Sequence, residues 1–312
     1  MIQYFKNLDG QTIETDQAEK GVWVNLVPPF REEEFIEISH ELKIPIEFLR
    51  DSLDIDERPR FEKEDEVNFV VIKTPTENNS FNDSDAFYIT IPICIILTET
   101  QIVTVNSFDN GAIKKFLHTF QKRHPDQKNI MVLKVFEKVV QTFMEFLKEI
   151  NHRRNHYENS LYQSNSNEDL LNLMRIQKSL VYFVTALRSN ELLMMKLERT
   201  NSLNLNEEER ELLGDLIIDT SQALEMAHIY TNILTSTLDA FASVISNNQN
   251  AVLKRLTSIT IILSLPVLVA SVYGMNVELP YMHSPHAFYI PILISLGASI
   301  LISWYFLKRK WF

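Results

Sequence analysis

The chain has 312 residues, with 30 Lys and Arg against 41 Asp and Glu, a formal net charge of −11. That acidic balance excludes no nucleic-acid partner outright but argues against one, because a phosphate backbone is gripped by a basic face. One cysteine, Cys94, rules out a disulfide framework within the chain and fits a cytosolic domain, where it reads as a small buried hydrophobe.

The opening MIQYFKNLDG lacks the apolar segment of a secretory signal, so membrane insertion is expected to be directed from the carboxyl-terminal end. Residues 1–125 hold seven of the eleven prolines and three of the six glycines. Short runs rich in Val, Ile and Phe predict strands at 21–27, 67–73, 86–97 and 101–105. A helix is expected over 31–42, with Glu32, Glu33 and Glu34 in its first turn, and a second over 45–53. Residues 78–84 read as a turn-rich loop. Together these make an N-terminal α/β cytoplasmic domain.

From Asp126 to Leu265 there is no proline and a single glycine, Gly214, so the stretch is expected to be helical except at polar turns. QSNSN (163–167) and NSLNLN (201–206) divide it into helices over about 128–162, about 168–200 and from Glu207 onward. Residues 126–205 then form a helical hairpin, and 206–255 the cytoplasmic part of a stalk helix. Continued to Val272, that helix is ~100 Å long and needs a packed face. Leu212, Leu216, Ala223, Met226, Ile233, Leu234, Leu238, Phe241, Val244 and Ile245 supply a seam at helical spacing.

Residues 256–276, LTSITIILSLPVLVASVYGMN, follow Lys254 and Arg255. Up to Tyr273 this segment nearly crosses a hydrocarbon core of ~30 Å. A loop of ten residues, 277–286, leads to a second apolar run, 287–307, and then to the basic tail KRKWF, 308–312. The Lys and Arg at both flanks place the termini in the cytoplasm and the loop outside, in the plasma membrane. Two consecutive runs of this length are unlike a buried pair in a soluble core. Thr257, Thr260, Ser264 and Ser271, spaced three, four and seven apart, share one helix face and either bond neighbouring helices or line water. Two helices per chain cannot enclose an aqueous path, so a pore requires a ring of subunits.

Asn276 at the end of the first span reads either as a ring of neutral amide oxygens or as a helix cap. Glu278, the only acid of the outer loop, either concentrates cations or is simply solvated. His283 and His286 share that loop without an acidic partner in a metal motif. The chain has no phosphate-binding Gly-x-x-x-x-Gly-Lys, no His-Glu-x-x-His and no nucleophile elbow, so no enzyme is read here.

Tyr273-Gly274-Met275-Asn276, set at the end of the first of two terminal spans and followed by a short loop, a second span and a basic tail, resembles the CorA family of magnesium transporters and channels. LRDSLDIDERPRFEKEDEVNFVVIK (49–73) resembles that family's amino-terminal signature. The resemblance implies an α+β cytoplasmic domain followed by long helices and two C-terminal transmembrane helices, mostly α, assembled as a homopentameric funnel in the lipid bilayer. It implies Mg²⁺ uptake driven by the membrane potential and gated by cytoplasmic Mg²⁺ bound between subunits. The filter falls on Tyr273, Gly274, Met275 and Asn276, and the lining on Asn250, Leu253, Leu256, Thr257, Thr260 and Ser264, with Leu253 and Leu256 as a hydrophobic constriction. The sensing carboxylates fall on Asp51 and Asp215, with Asp54, Asp56 and Glu57 close to the first, and Asp239 on the funnel axis. Two departures, the loop VELPYMHSPHA and the position of Pro266 one residue nearer the Gly-Met-Asn, shift the expectation toward Co²⁺, Ni²⁺ or Zn²⁺. A Zn²⁺ transporter of the same fold, and a membrane-anchored sensor or scaffold that transports nothing, are the alternatives.

Overall fold

The structure, a computed structural model, describes residues 2–8, 11–15, 22–27, 32–78, 86–106, 128–164, 167–277, 285–309 and 311. It falls into two compact units, Met1–Thr235 and Ser236–Phe312.

The first unit is built on a seven-stranded sheet. Its strands are β1 (Ile2–Leu8), β2 (Gln11–Thr15), β3 (Trp23–Leu26), β4 (Arg60–Glu64), β5 (Val67–Glu77), β6 (Tyr88–Leu97) and β7 (Ile102–Asn106). The order is β2-β1-β3-β7-β6-β5-β4, with β3 and β7 parallel and the other neighbours antiparallel. Four of these strands match the expected runs. β1, β2 and β4 were not expected, because QTIET and RFEKE carry one apolar residue each and IQYFKNL breaks the alternation that signals a strand. They sit toward the two edges of the sheet, where polar and charged side chains are tolerated.

Strand alternation gives the sheet two apolar faces. On one, Val24, Leu26, Phe69, Val71, Cys94, Ile96, Val103 and Val105 form a core with Phe35, Ile38, Phe48 and Leu49 of α1 (Glu32–Leu42) and α2 (Ile46–Asp51). Cys94 is fully buried there, and burial pushes its thiol up to about 12, so it is an inert part of the packing. The other face carries Val70, Ile72, Ile93 and Ile95, and is covered by α3 (Lys128–Ser164) and α4 (Asn167–Thr200).

Buried polar groups set how α4 lies on the sheet. β4 stops at Arg60, opposite Val71, which leaves the next part of β5 without a strand beside it. Asn190 of α4 takes that place. Its side-chain oxygen accepts from the Lys73 N–H at 3.0 Å, and its amide donates to the Lys73 carbonyl at 2.8 Å. Three turns away, the Ser179 hydroxyl accepts from the N–H groups of Phe87 and Tyr88 at 3.1 and 3.0 Å. Both side chains are buried, at 1% and 0% exposure, so neither bond is replaceable by water.

The helix α5 runs Glu207–Tyr273, with its residues through Thr235 in the first unit and the rest in the second. A reciprocal cap starts it: Asn206 Oδ1 accepts from the Glu209 N–H and Glu209 Oε2 from the Asn206 N–H, both at 2.9 Å. Asn201 and Asn204 make the preceding turn in the left-handed conformation, which Asn adopts more readily than most residues. In the expected seam Leu216, Ala223, Leu234 and Phe241 are buried, but Ile233, Val244 and Ile245 are exposed. The packed face instead takes in Leu213, Thr220, Leu224 and Ala227. The rotation follows from packing against two helices at once, which draws on a broader stripe than one seam.

Replacing Asn190 with Ala is expected to destabilise the chain by about 2–4 kcal/mol, because it leaves the part-buried N–H and C=O of Lys73 unpaired together. Urea unfolding followed by tryptophan fluorescence measures this, and an unchanged midpoint contradicts the role assigned to Asn190.

Candidate functional site

The second unit holds the membrane-length segment of α5 and the helix α6 (Tyr289–Lys308). The most apolar window of each has a mean hydropathy of 2.0, yet only 6% and 11% of those windows are buried. A core helix of a soluble protein would be largely covered. Leu256, Leu263, Val267 and Leu268 are instead 60–65% exposed. Leaving each such side chain in water costs ~1.5–3 kcal/mol, so these surfaces require lipid or further protein.

The helices meet along small residues. Ser258 on α5 is 0% exposed and Ser295 on α6 8%. Pro266, within α5, has no N–H, so the carbonyl four residues back, that of Ile262, loses its helical donor. The Ser299 hydroxyl of α6 donates to that carbonyl at 3.4 Å. Within hydrocarbon, a neighbouring side chain is the means of satisfying such a group.

Exposure shows which way the hydroxyl stripe points relative to this contact. Ser258, Ile261, Ile262, Leu265 and Val269 occupy the covered side of α5, whereas Thr257, Thr260, Ser264 and Ser271 are exposed on the other. Thr260, Ser264 and Ser271 donate to their own helix, at Leu256, Ile261 and Val267, over 2.8–2.9 Å. The hydroxyl that does face the helix pair is Ser258, outside the stripe. Its signal was available in Ser295 and Ser299, a one-turn repeat of small residues on α6.

α5 ends at Tyr273, and the chain tightens. The Gly274 N–H donates to Ala270 O at 2.9 Å and the Met275 N–H to Val272 O at 3.3 Å. A Cβ at Gly274 would sit 3.3 Å from the Ala270 carbonyl, closer than is comfortable, which is why glycine suits this turn. Asn276 is exposed and is not among the left-handed residues, so it does not form the usual left-handed cap. Met275 is exposed and Tyr273 half-buried. Asn250, Leu253, Leu256, Thr257, Thr260, Ser264 and Asp239 are all exposed on α5 of a single chain. Glu278 and His283 lie outside the described residues. His286 is exposed, and its backbone carbonyl accepts from Tyr289 and Ile290.

The two candidate sensing carboxylates are in the first unit. Asp51, at the end of α2, accepts from Arg60 Nη2 at 2.7 Å. The same guanidinium bonds Glu57 and Glu62 and lies over the Phe69 ring at 5.2 Å. Burial works against the Arg60 charge, but the hydrogen bonds it donates to Asp51, Glu57 and Glu62 outweigh it and hold its pKa above the usual value. Asp215 lines an open groove of about 510 Å³ with Glu137, Glu145, Lys148 and Asp219. Asp51 is not part of that groove, and among the described residues no three His, Cys, Asp or Glu are placed to hold a metal.

A protein family described as CorA-like Mg²⁺ transporter protein matches residues 18–309. The chain belongs to the CorA family. The family is one of divalent-cation transporters, not of enzymes. Among CorA relatives, the cobalt/magnesium transport protein CorA of Methanocaldococcus jannaschii is 24% identical over 294 residues, covering 93% of this chain and 91% of that protein. The complete structure of the CorA magnesium transporter from the same organism superposes with a TM-score of 0.85 at 22% identity, over 100% of this chain and 99% of that one. The ZntB cytoplasmic domain from Vibrio parahaemolyticus RIMD 2210633 superposes at 0.60 and 13% identity, over 79% and 97%. At these identities the structural likeness establishes a shared CorA fold, including the two carboxyl-terminal membrane-length helices.

Ser299→Ala is expected to destabilise the helix pair by about 0.6–1.7 kcal/mol. In a Pro266→Ala background, where the N–H at 266 returns to the Ile262 carbonyl, that loss is expected to shrink toward zero. Thermal unfolding of the four members of this cycle in one detergent measures the coupling, and simply additive losses contradict it.

Proposed function

We propose that the chain is the subunit of a homopentameric Mg²⁺ uptake channel in the plasma membrane, with both termini in the cytoplasm. The observation that carries this reading is the end of the first span. Gly274-Met275-Asn276 closes α5 with an exposed amide, on a helix whose hydroxyl stripe faces away from α6. Five copies of α5 around an axis turn that stripe and Asn250, Leu253 and Leu256 inward, with the first-unit helices forming a funnel and Asp239 on its axis.

Mg²⁺ is small, prefers six oxygens and gives up water reluctantly. A ring of Asn276 side-chain oxygens accepts hydrogen bonds from the coordinated waters and leaves the shell in place. Tyr273 and Met275 hold the turn. Glu278, repeated around the mouth, gathers cations from solution. The driving force is electrical: ~2.3 kcal/mol per charge for each 100 mV, doubled for a divalent ion.

Gating is assigned to Mg²⁺ held between subunits by Asp51 and Asp215. Their carboxylates are hard oxygen donors, and the Asp51 side chain is 41% exposed, so a cation from solution reaches it. Any such ion shares Asp51 with Arg60. Filling the sites draws adjacent subunits together, and emptying them leaves like charges to push apart. A second reading is a Co²⁺, Ni²⁺ or Zn²⁺ transporter of the same fold, favoured by the cobalt in the relative's name. A sensor or scaffold without transport differs from both in predicting no flux.

Asn276→Ala and Asn276→Asp are expected to abolish Mg²⁺ uptake into vesicles held at an inside-negative potential, with the pentamer intact by native mass. Preserved flux refutes the amide ring. Competition by Co²⁺, Ni²⁺ and Zn²⁺ in the same vesicles separates the two transport readings. For the gate, Asp51→Asn with Asp215→Asn should weaken the protection from proteolysis that Mg²⁺ confers. Undiminished protection removes these carboxylates from sensing.

A further inference from the structure

The carboxyl end of α6 is folded rather than frayed. Lys308 Nζ lies 5.2 Å from the centre of the Trp304 ring, and the Arg309 guanidinium 5.8 Å from that of Tyr305. Beyond Arg309 the chain turns back. The Trp311 N–H donates to the Phe306 carbonyl at 3.1 Å, and its ring stacks on Phe306 with centroids 5.1 Å apart. Two cations are thereby seated on aromatic platforms at one end of the helix, the arrangement that fixes a long, mobile charge in place.

Two more cations lie at the same level. Lys254 is eight residues before Ile262 and Lys308 nine after Ser299, the two residues in contact. In helices running in opposite directions, both are ~12–14 Å from that contact on the same side. Lys254, Arg255, Lys308 and Arg309 are all exposed. No Asp or Glu occurs from residue 240 to 276, nor from 285 to 309, so neither helix supplies a counter-charge nearby. In a chain of net charge −11, this is a local positive level to which neither helix brings an acid. Complementing the helix dipole accounts for Lys308 and Arg309 but not for Lys254 and Arg255, which sit inside α5.

We propose that this level binds the phosphate of an anionic glycerophospholipid in the adjoining leaflet. The inference rests on the reading that α5 and α6 span a bilayer. Charge selects a phosphate, and the surroundings select one that carries acyl chains. Trp304, Tyr305 and Leu307 are 51–62% exposed around the cations, an apolar surface that free phosphate leaves wet and a lipid covers. The aromatic rings hold the cations at headgroup depth, the cations pair with the phosphodiester, and the acyl chains lie on the adjoining helix face.

The test uses the full chain in nanodiscs of phosphatidylcholine containing a minor share of phosphatidylglycerol, followed by detergent extraction and native mass spectrometry. The expected result is phosphatidylglycerol bound in excess of its share of the bilayer. Lys308→Gln with Arg309→Gln should lower that excess by about fivefold for each cation removed. The charge-keeping pair Lys308→Arg and Arg309→Lys should retain it, as should Lys196→Gln on α4. Inorganic phosphate added to the nanodiscs should not displace the lipid. Lipid bound in the bulk ratio, an unaffected Gln pair, loss in the charge-keeping pair, or displacement by inorganic phosphate each overturns the proposal. A chain that does not enter neutral bilayers overturns the spanning reading as well, whereas one that enters and shows no preference overturns the lipid site alone.

Discussion

A carbonyl deprived of its helical donor inside an apolar span has no water to turn to. Pro266 creates that situation at Ile262, and Ser299 resolves it. The contact does more than satisfy one group. It joins α5 to α6 at one rotation, and the residues of α5 are disposed around that contact at 100° each. Ser258 goes inward, the hydroxyl stripe goes outward, and the Gly-Met-Asn turn is presented at a defined angle. The cation level at the other end of the pair follows from the same register.

The first unit meets the same requirement by other means. Its sheet is covered on both faces, so polar groups that lose a ladder partner have to be met by side chains. Asn190 does this for Lys73, and Ser179 for Phe87 and Tyr88. On the parallel pair, the Trp23 indole donates to the Thr104 hydroxyl, which donates to Asn25. These bonds are directional where apolar burial is not, and those of Asn190 and Ser179 tie α4 to the sheet. Both units therefore use a few polar contacts to choose among packings that hydrophobicity alone would leave nearly equivalent.

That distinction also explains what the sequence reveals. The breaker-free stretch announces α3, α4 and α5, because proline and glycine are local signals. The two spans are equally plain from length and apolarity. QSNSN and NSLNLN mark real interruptions, the second made by Asn201 and Asn204 in the left-handed region. β1, β2 and β4 escape notice because their stability comes from a neighbouring strand rather than from their own composition. Asn190 and Lys73 are 117 residues apart, and Ser299 and Ile262 are 37 apart. No periodicity links such pairs. The Gly-Met-Asn turn was legible as a motif, and Asp51 as a candidate carboxylate. The Arg60 guanidinium that occupies Asp51 was not, although only nine residues separate them.

Two kinds of oxygen occur at the proposed ion sites, and each suits a different task. A neutral amide such as that of Asn276 attracts a hydrated divalent ion weakly and lets it go, which is what passage demands. A carboxylate such as that of Asp51 or Asp215 attracts it strongly, which suits a reporter of concentration. Arg60 bears on the second task. One guanidinium serving Asp51, Glu57 and Glu62 leaves that group two charges short of neutral, so a divalent ion is attracted to it. The same guanidinium also competes for Asp51, so the ion gains less there than at a bare carboxylate. The proposed sensor must empty as well as fill, and Arg60, already bonded to Asp51 within the chain, would supply that moderation.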